Sequence, residues 1–185
     1  MDSLAKALIQ PRRRITVLQG QVLISAEPWA EFTTVLGSCV ATCLFDREAK
    51  VGGVNHFLLA LPPASHVTGE ADPHYGVYLM SELLSRILAA GASRQRLRAH
   101  LYGGANLHPG MAPIGTRNAI FSRAFLRRER IALEFDCLGG MNARRIQFRP
   151  TLGKVRYQIV RDHSDTARPG SSDDLLGTKR GYDDD

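Results

Sequence analysis

The stretch CVATCLFDREAKVGGVNHFLL, residues 39–59, holds two apolar runs rich in β-branched and aromatic residues on either side of the charged segment DREAK. Runs of this length bounded by charge and glycine read as strands, and their closeness in sequence makes them a hairpin. Loop length then sets which residues face each other. A two-residue loop at Arg47 and Glu48 pairs positions that sum to 95 and puts Cys39 directly opposite His56, with Cβ atoms about 4.5–5.5 Å apart. A four-residue loop, the commoner expectation here, shifts the sum to 97 and makes the two residues diagonal neighbours, about 7–8 Å apart on one face. Only an odd loop or a bulge separates them, because a one-residue slip reverses every side chain.

Outward from this hairpin, the N-terminal half continues in the same character. ITVLQGQVLIS (residues 15–25) reads as two short extended pieces meeting at a turn on Gly20, and FTTVLG (residues 32–37) as a further strand. The period changes at VYLMSELLSRILAAG (residues 77–91), where Met80, Leu83, Leu84, Ile87 and Leu88 recur at helical spacing and Gly91 stands at the C-terminal cap. LRAHLYGG predicts a strand that stops at Gly103 and Gly104, Thr116 to Arg128 a second helix with a basic face, and IALEFD, RIQFR and KVRYQIV three more strands. The last two are joined by the turn PTLG, residues 150–153. The expected architecture is an α+β layered sandwich of mostly antiparallel or mixed sheet, with about two main helices packed on the outside. Its expected organisation is a flexible basic arm over residues 1–14, one domain over 15–161, and a tail over 162–185 too rich in Ser, Asp, Gly and Pro to bury apolar area.

Composition narrows the function. The chain has 185 residues, 44% of them hydrophobic and 23% charged, which suits one folded domain with its own core. No apolar run approaches the length of a bilayer span and the N-terminus lacks a signal-peptide core, so the expected location is the cytoplasm, without direct membrane insertion. The net charge of +6 concentrates in Arg12 to Arg14 and in Arg123, Arg127, Arg128 and Arg130. These clusters lack the interleaved aromatics of single-strand nucleic-acid platforms, so they read as solvated basic faces rather than as a nucleic-acid site. Three cysteines without paired spacing argue for reduced thiols.

Cys39 is the candidate nucleophile and His56 the base best placed to serve it, since only a thiolate attacks well. Gly37 and Ser38, just before Cys39, permit close approach to the backbone, and the Cys39 N–H is a candidate oxyanion donor. Gly52 and Gly53 thin the partner strand in a way that suggests the same use. The competing reading keeps Cys39 as a small core residue and His56 as a hydrogen-bonded, partly buried one, and spacing alone does not separate the two. Cys43 lies four residues along the same strand, roughly 13 Å from Cys39, too far for a disulfide or a shared metal, and no zinc-like spacing is present. Cys43 and Cys137 are expected to pack. His66, His74, His100, His108 and His163 are weaker candidates for the base.

TTVLGSCVATCLFD followed by VGGVNHFLLALP, with YGGAN (residues 102–106), IGTRN (114–118) and DCLGGMNARRIQF (136–148), resembles the CheD family of chemoreceptor glutamine deamidases across about residues 15–160. The family's catalytic set is a Thr six residues before a Cys, that Cys, and a His seventeen residues after it. The resemblance therefore implies Cys39 as nucleophile, His56 as general base and later acid, and Thr33 as the hydroxyl that orients the imidazole, with Thr34 adjacent as the alternative. It further implies Gly37, Ser38, Asn106, Arg117 and Asn118 as candidates for lining the substrate, no metal or organic cofactor, and methyl-accepting chemotaxis receptors as the protein substrate. A regulatory role as binding partner of a CheC-type phosphatase is the second implied reading. An unrelated cysteine hydrolase of small amides is a third.

Overall fold

The computed structural model describes residues 12–61, 75–107, 110, 112–160 and 181–182. The expected arm and tail lie largely outside the described residues, as do His66, His74, His108 and His163. Ten strands and two helices follow one another among the described residues: β1 (Arg13–Thr16), β2 (Val22–Ser25), β3 (Ala30–Leu36), β4 (Val40–Asp46), β5 (Val51–Phe57), α1 (Gly76–Ala89), β6 (Arg98–Gly103), α2 (Ile114–Arg128), β7 (Ala132–Leu138), β8 (Ala143–Arg149), β9 (Lys154–Val160) and β10 (Gly181–Tyr182). They form one sheet in the order β1-β3-β8-β9-β10 and a second in the order β2-β5-β4-β6-β7.

The β4–β5 hairpin is the centre of the second sheet, and both strands are buried along their whole length. Asp46 pairs with Val51 and Ala41 with His56, so the loop is the four-residue one. Strand parity then sends alternate residues to two different cores. Val40 and Leu44 join Leu79, Met80, Leu83, Ile87 and Phe125 on the side of α1 and α2. Ala41, Cys43, Phe45 and Val54 join Phe32, Leu36, Ile146 and Phe148 of the first sheet on the other. Sheet, sheet and helices thus stack as three layers, the α+β sandwich expected, with both helices on one side.

The α1 stripe read from the sequence is the face that packs: Met80, Leu83, Leu84 and Ile87 are buried, with Leu79 beside them. Gly91, at φ +102°, ends the helix in the left-handed region that glycine tolerates. No helix among the described residues is long and apolar enough to cross a membrane.

Three details go beyond or differ from the sequence reading. Consecutive strands β1 and β2 do not pair with each other: β1 runs parallel to β3, whereas β2 pairs with β5 in the other sheet. The basic arm is shorter than expected, because Arg13 and Arg14 belong to β1 and Arg14 Nε donates to the buried Glu31 carboxylate at 3.0 Å. Residues 181–182, within the expected tail, pair with β9.

Candidate active site

The site lies at the edge of the inter-sheet core, where β3 ends, β4 begins and β5 ends. Cys39 stands one residue before β4 with the parity of Ala41 and Cys43, and packs against the same inter-sheet cluster as they do. His56 pairs with Ala41, so Cys39 is its diagonal neighbour one step along, on a common face. That is the placement an even loop requires. Cys39 is half-buried, whereas His56 is 7% exposed.

The imidazole is held from the opposite sheet. Thr34 Oγ1 lies 3.0 Å from His56 Nδ1, a buried hydrogen bond that ties β3 to β5. Thr33, which the family spacing pointed to, does not reach the ring: its Oγ1 donates to the Ile146 carbonyl at 2.9 Å. Alternation along β3 is the reason, since Phe32, Thr34 and Leu36 turn inward, where all three are buried, and Thr33 takes the other face. His56 Nε2 is buried and makes no hydrogen bond among the described residues.

Burial lowers the His56 pKa below its ordinary value near 6.5, with the Val17 carbonyl partly opposing the shift. Burial likewise raises the Cys39 thiol, against the smaller opposing effect of its own backbone N–H. Both shifts favour the uncharged pair, a thiol beside a neutral imidazole, over a preformed thiolate–imidazolium pair. Transfer of a thiol proton to Nε2 would require the tautomer in which Nδ1–H donates to Thr34 Oγ1.

The backbone around Cys39 is fixed by groups the sequence reading had assigned to the substrate. Asn118, 1% exposed on α2, donates through Nδ2 to the Ser38 carbonyl (2.9 Å) and the Leu58 carbonyl (2.8 Å), so one amide clamps the segments leading into Cys39 and away from His56. Asn106 donates to Thr116 Oγ1 at 2.8 Å in the first turn of α2 and is likewise occupied. Both amides thus brace neighbouring backbone, Asn118 from a buried position and Asn106 from a half-buried one. Ala105 N–H donates to the Gly37 carbonyl (2.9 Å) and Gly104 N–H to the Cys39 carbonyl (2.8 Å). Gly103, at φ +112°, passes so close to the Cys39 carbonyl that no side chain fits there. Arg117 is exposed beside Asn118.

The glycines of β5 also have a different use from the one expected. A Cβ at Gly52 would strike the Pro150 backbone of the β8–β9 turn, and one at Gly53 would strike Ile24 Cδ1 of β2 and stand 2.9 Å from Leu83 Cδ1 of α1. They let two layers close on β5 rather than admit a substrate. Cys43 is fully buried and burial drives its thiol pKa strongly upward, while Cys137 is half-buried. His100 is buried among Phe45, Tyr102 and Phe135 with Nε2 3.5 Å from Glu134.

Residues 59–159 match the family model described as CheD chemotactic sensory transduction, a span that begins just after His56. Longer similarity comes from curated relatives, each named "Probable chemoreceptor glutamine deamidase CheD". The one from Zymomonas mobilis is 44% identical over 180 residues, 97% of this chain and 96% of its own. The Caulobacter vibrioides relative is 42% identical over 147 residues, covering 80% and 78% of the two chains, and that of Acidiphilium cryptum 43% over 163, covering 86% and 85%. Among solved structures, a Neisseria meningitidis protein of the family model DUF152 aligns over 75% of this chain and 67% of its own, at 9% identity and a TM-score of 0.45.

Proposed function

The chain belongs to the CheD family, and on that premise we propose that it is a protein-glutamine deamidase that converts glutamine side chains of methyl-accepting chemotaxis receptors to glutamate. Cys39 is the nucleophile, His56 the general base and then acid, and Thr34 the hydroxyl that orients the ring. One observation carries this assignment: His56 shares a face with Cys39 and is fixed at Nδ1 by Thr34 from the opposite sheet.

The chemistry follows from those positions. His56 Nε2 takes the Cys39 proton as Sγ attacks the carboxamide carbon, and the carbonyl oxygen gathers negative charge. His56 then gives that proton to the departing nitrogen, ammonia leaves, and a thioester to Cys39 remains. Water, deprotonated by His56, attacks the thioester. Collapse returns the proton to sulfur and releases a glutamate side chain. General acid–base help of this kind contributes about 10²–10⁴ in rate.

On a receptor helix, Gln to Glu adds a negative charge where none stood, which alters repulsion between neighbouring helices and creates a carboxylate that a methyltransferase can esterify. Such helices place the enzyme's work in the cytoplasm. Arg117, exposed beside the clamp residue Asn118, is proposed as a rim contact for that substrate. No observation favours the CheC-type partner over the deamidase, and a pull-down with such a phosphatase tests it separately.

Incubation with receptor cytoplasmic fragments tests the function directly, by ammonia release and a gain of about one mass unit per glutamine hydrolysed. Activity is expected in the wild type and in Cys43→Ala, and lost in Cys39→Ala. Activity that survives Cys39→Ala rules the assignment out.

A further inference from the structure

The Cys39 sulfur touches a side chain that neither the spacing argument nor the family motif includes. Gln19 sits in the turn between β1 and β2, and Cys39 Sγ donates to its Oε1 at 3.8 Å. The turn is tied to the strand that carries the base: Gly20 N–H donates to the His56 carbonyl at 2.7 Å, and His56 N–H donates to the Gln21 carbonyl at 3.1 Å. Gln21 closes the turn from within, its Oε1 accepting from Leu18 N–H at 2.9 Å while its own N–H donates to the Leu18 carbonyl at 3.1 Å. Gly20, at φ +83°, supplies the bend. The residue before that glycine is thereby held over the thiol, yet it is exposed and has no place in either core.

A carboxamide accepts at one end and donates at the other, and its terminal torsion is soft. With the thiol protonated, the oxygen faces Sγ–H, as observed. Once His56 has taken the proton, negative charge passes to sulfur and then to the substrate oxygen. The carboxamide oxygen is then repelled and the NH₂ end attracted. An oxyanion is best held by two donors. The backbone N–H of Cys39 is one candidate donor, which leaves a second to be found.

We infer that Gln19 is a catalytic residue, its Nε2 amide donating to the negative charge that develops at Cys39 and on the substrate oxygen. The inference rests on Cys39 being the deamidase nucleophile, and the experiment separates the two.

Turnover of receptor cytoplasmic fragments is measured for the wild type, Cys39→Ala, Gln19→Ala and Gln19→Glu, together with the pH profile of Cys39 alkylation by iodoacetamide, localised by fragmentation. Loss of an oxyanion donor lowers kcat about 10²–10³-fold in Gln19→Ala, with KM little changed because the interaction strengthens only in the transition state. Melting temperature stays at the wild-type value, since the side chain is exposed. In Gln19→Glu the alkylation profile moves to higher pH, because a carboxylate beside sulfur opposes the thiolate. A position-19 side chain that does not stand beside Sγ would leave that profile in place. Gln19→Ala turning over at the wild-type kcat, or faster, overturns the inference while Cys39→Ala still abolishes activity. A wild type that releases no ammonia from any fragment overturns the deamidase reading itself, and this inference with it.

Discussion

Replacing Thr34 by valine keeps the shape of the side chain and removes the hydroxyl that holds His56. The bond is 3.0 Å long and joins two buried groups on opposite sheets, so no water stands ready to replace it. A buried polar atom left without its partner costs about 1–3 kcal/mol. If that loss falls on the tautomer with the lone pair at Nε2, kcat drops by about 5- to 150-fold at roughly 1.4 kcal/mol per factor of ten. The neighbouring Thr33→Val variant is the control. Thr33 Oγ1 donates to the Ile146 carbonyl between β3 and β8, and its loss is worth about 0.5–1.5 kcal/mol of stability with kcat unchanged. Both variants are assayed by mass spectrometry of receptor fragments over a substrate range that separates kcat from KM, beside thermal unfolding. A large fall in kcat for Thr33→Val with Thr34→Val at the wild-type rate would refute the reasoning, because it would mean that the imidazole is oriented from the other face of β3.

Three further outcomes are expected. Asn118→Ala removes two hydrogen bonds that clamp residues 38 and 58, and it lowers stability by about 1–3 kcal/mol, read as a fall of several degrees in Tm, together with kcat. Gly52→Ala forces a Cβ against the Pro150 backbone and costs about 1–3 kcal/mol by overpacking; a change confined to KM would mean instead that this glycine admits substrate. Because His56 titrates below 6.5 in the fold, the unfolded chain binds its proton first, so this residue's contribution to stability is present above that pH and is lost as pH falls from 6.5 through the folded value. Activity needs the neutral ring and falls over the same acid limb. Both limbs are measured by thermal melting and by a kcat/KM profile from acid pH up to pH 8, and an acid limb centred above 6.5 would contradict the assignment of the base to a buried His56.

Much of this was legible before any coordinates. The hairpin arithmetic allowed two even loops, and either put Cys39 and His56 on one face; the pairing of Ala41 with His56 selected the longer loop. The α1 stripe and the PTLG turn carry their signals within a few residues, which is why they could be read locally. What was not legible depends on contacts between layers. Pairing β1 with β3 and β2 with β5 splits neighbours in sequence between two sheets, and no local pattern records it. Gly52 and Gly53 looked like substrate access because the turn at Pro150 and the side chain of Leu83 come from elsewhere in the chain. The sequence left Thr33 and Thr34 as alternatives: the large residues Phe32 and Leu36 share the parity of Thr34, and reading β3 as a strand with that face inward favours Thr34. Gln19 left no signal at all, since an exposed turn residue is unremarkable until its contact with Cys39 Sγ is seen.

The central claim is that a glutamine carboxamide forms a thioester with Cys39. Acid-quenching the enzyme during turnover of a glutamine-containing receptor peptide, followed by intact-mass and fragment analysis, tests it most directly. The expected adduct equals the peptide less ammonia, sits on Cys39, is absent in Cys39→Ala and is more abundant when His56 is replaced by a weaker base that slows hydrolysis more than attack. Steady deamidation with no adduct on Cys39 under any quench, or with the adduct on Cys43 or Cys137, would contradict it.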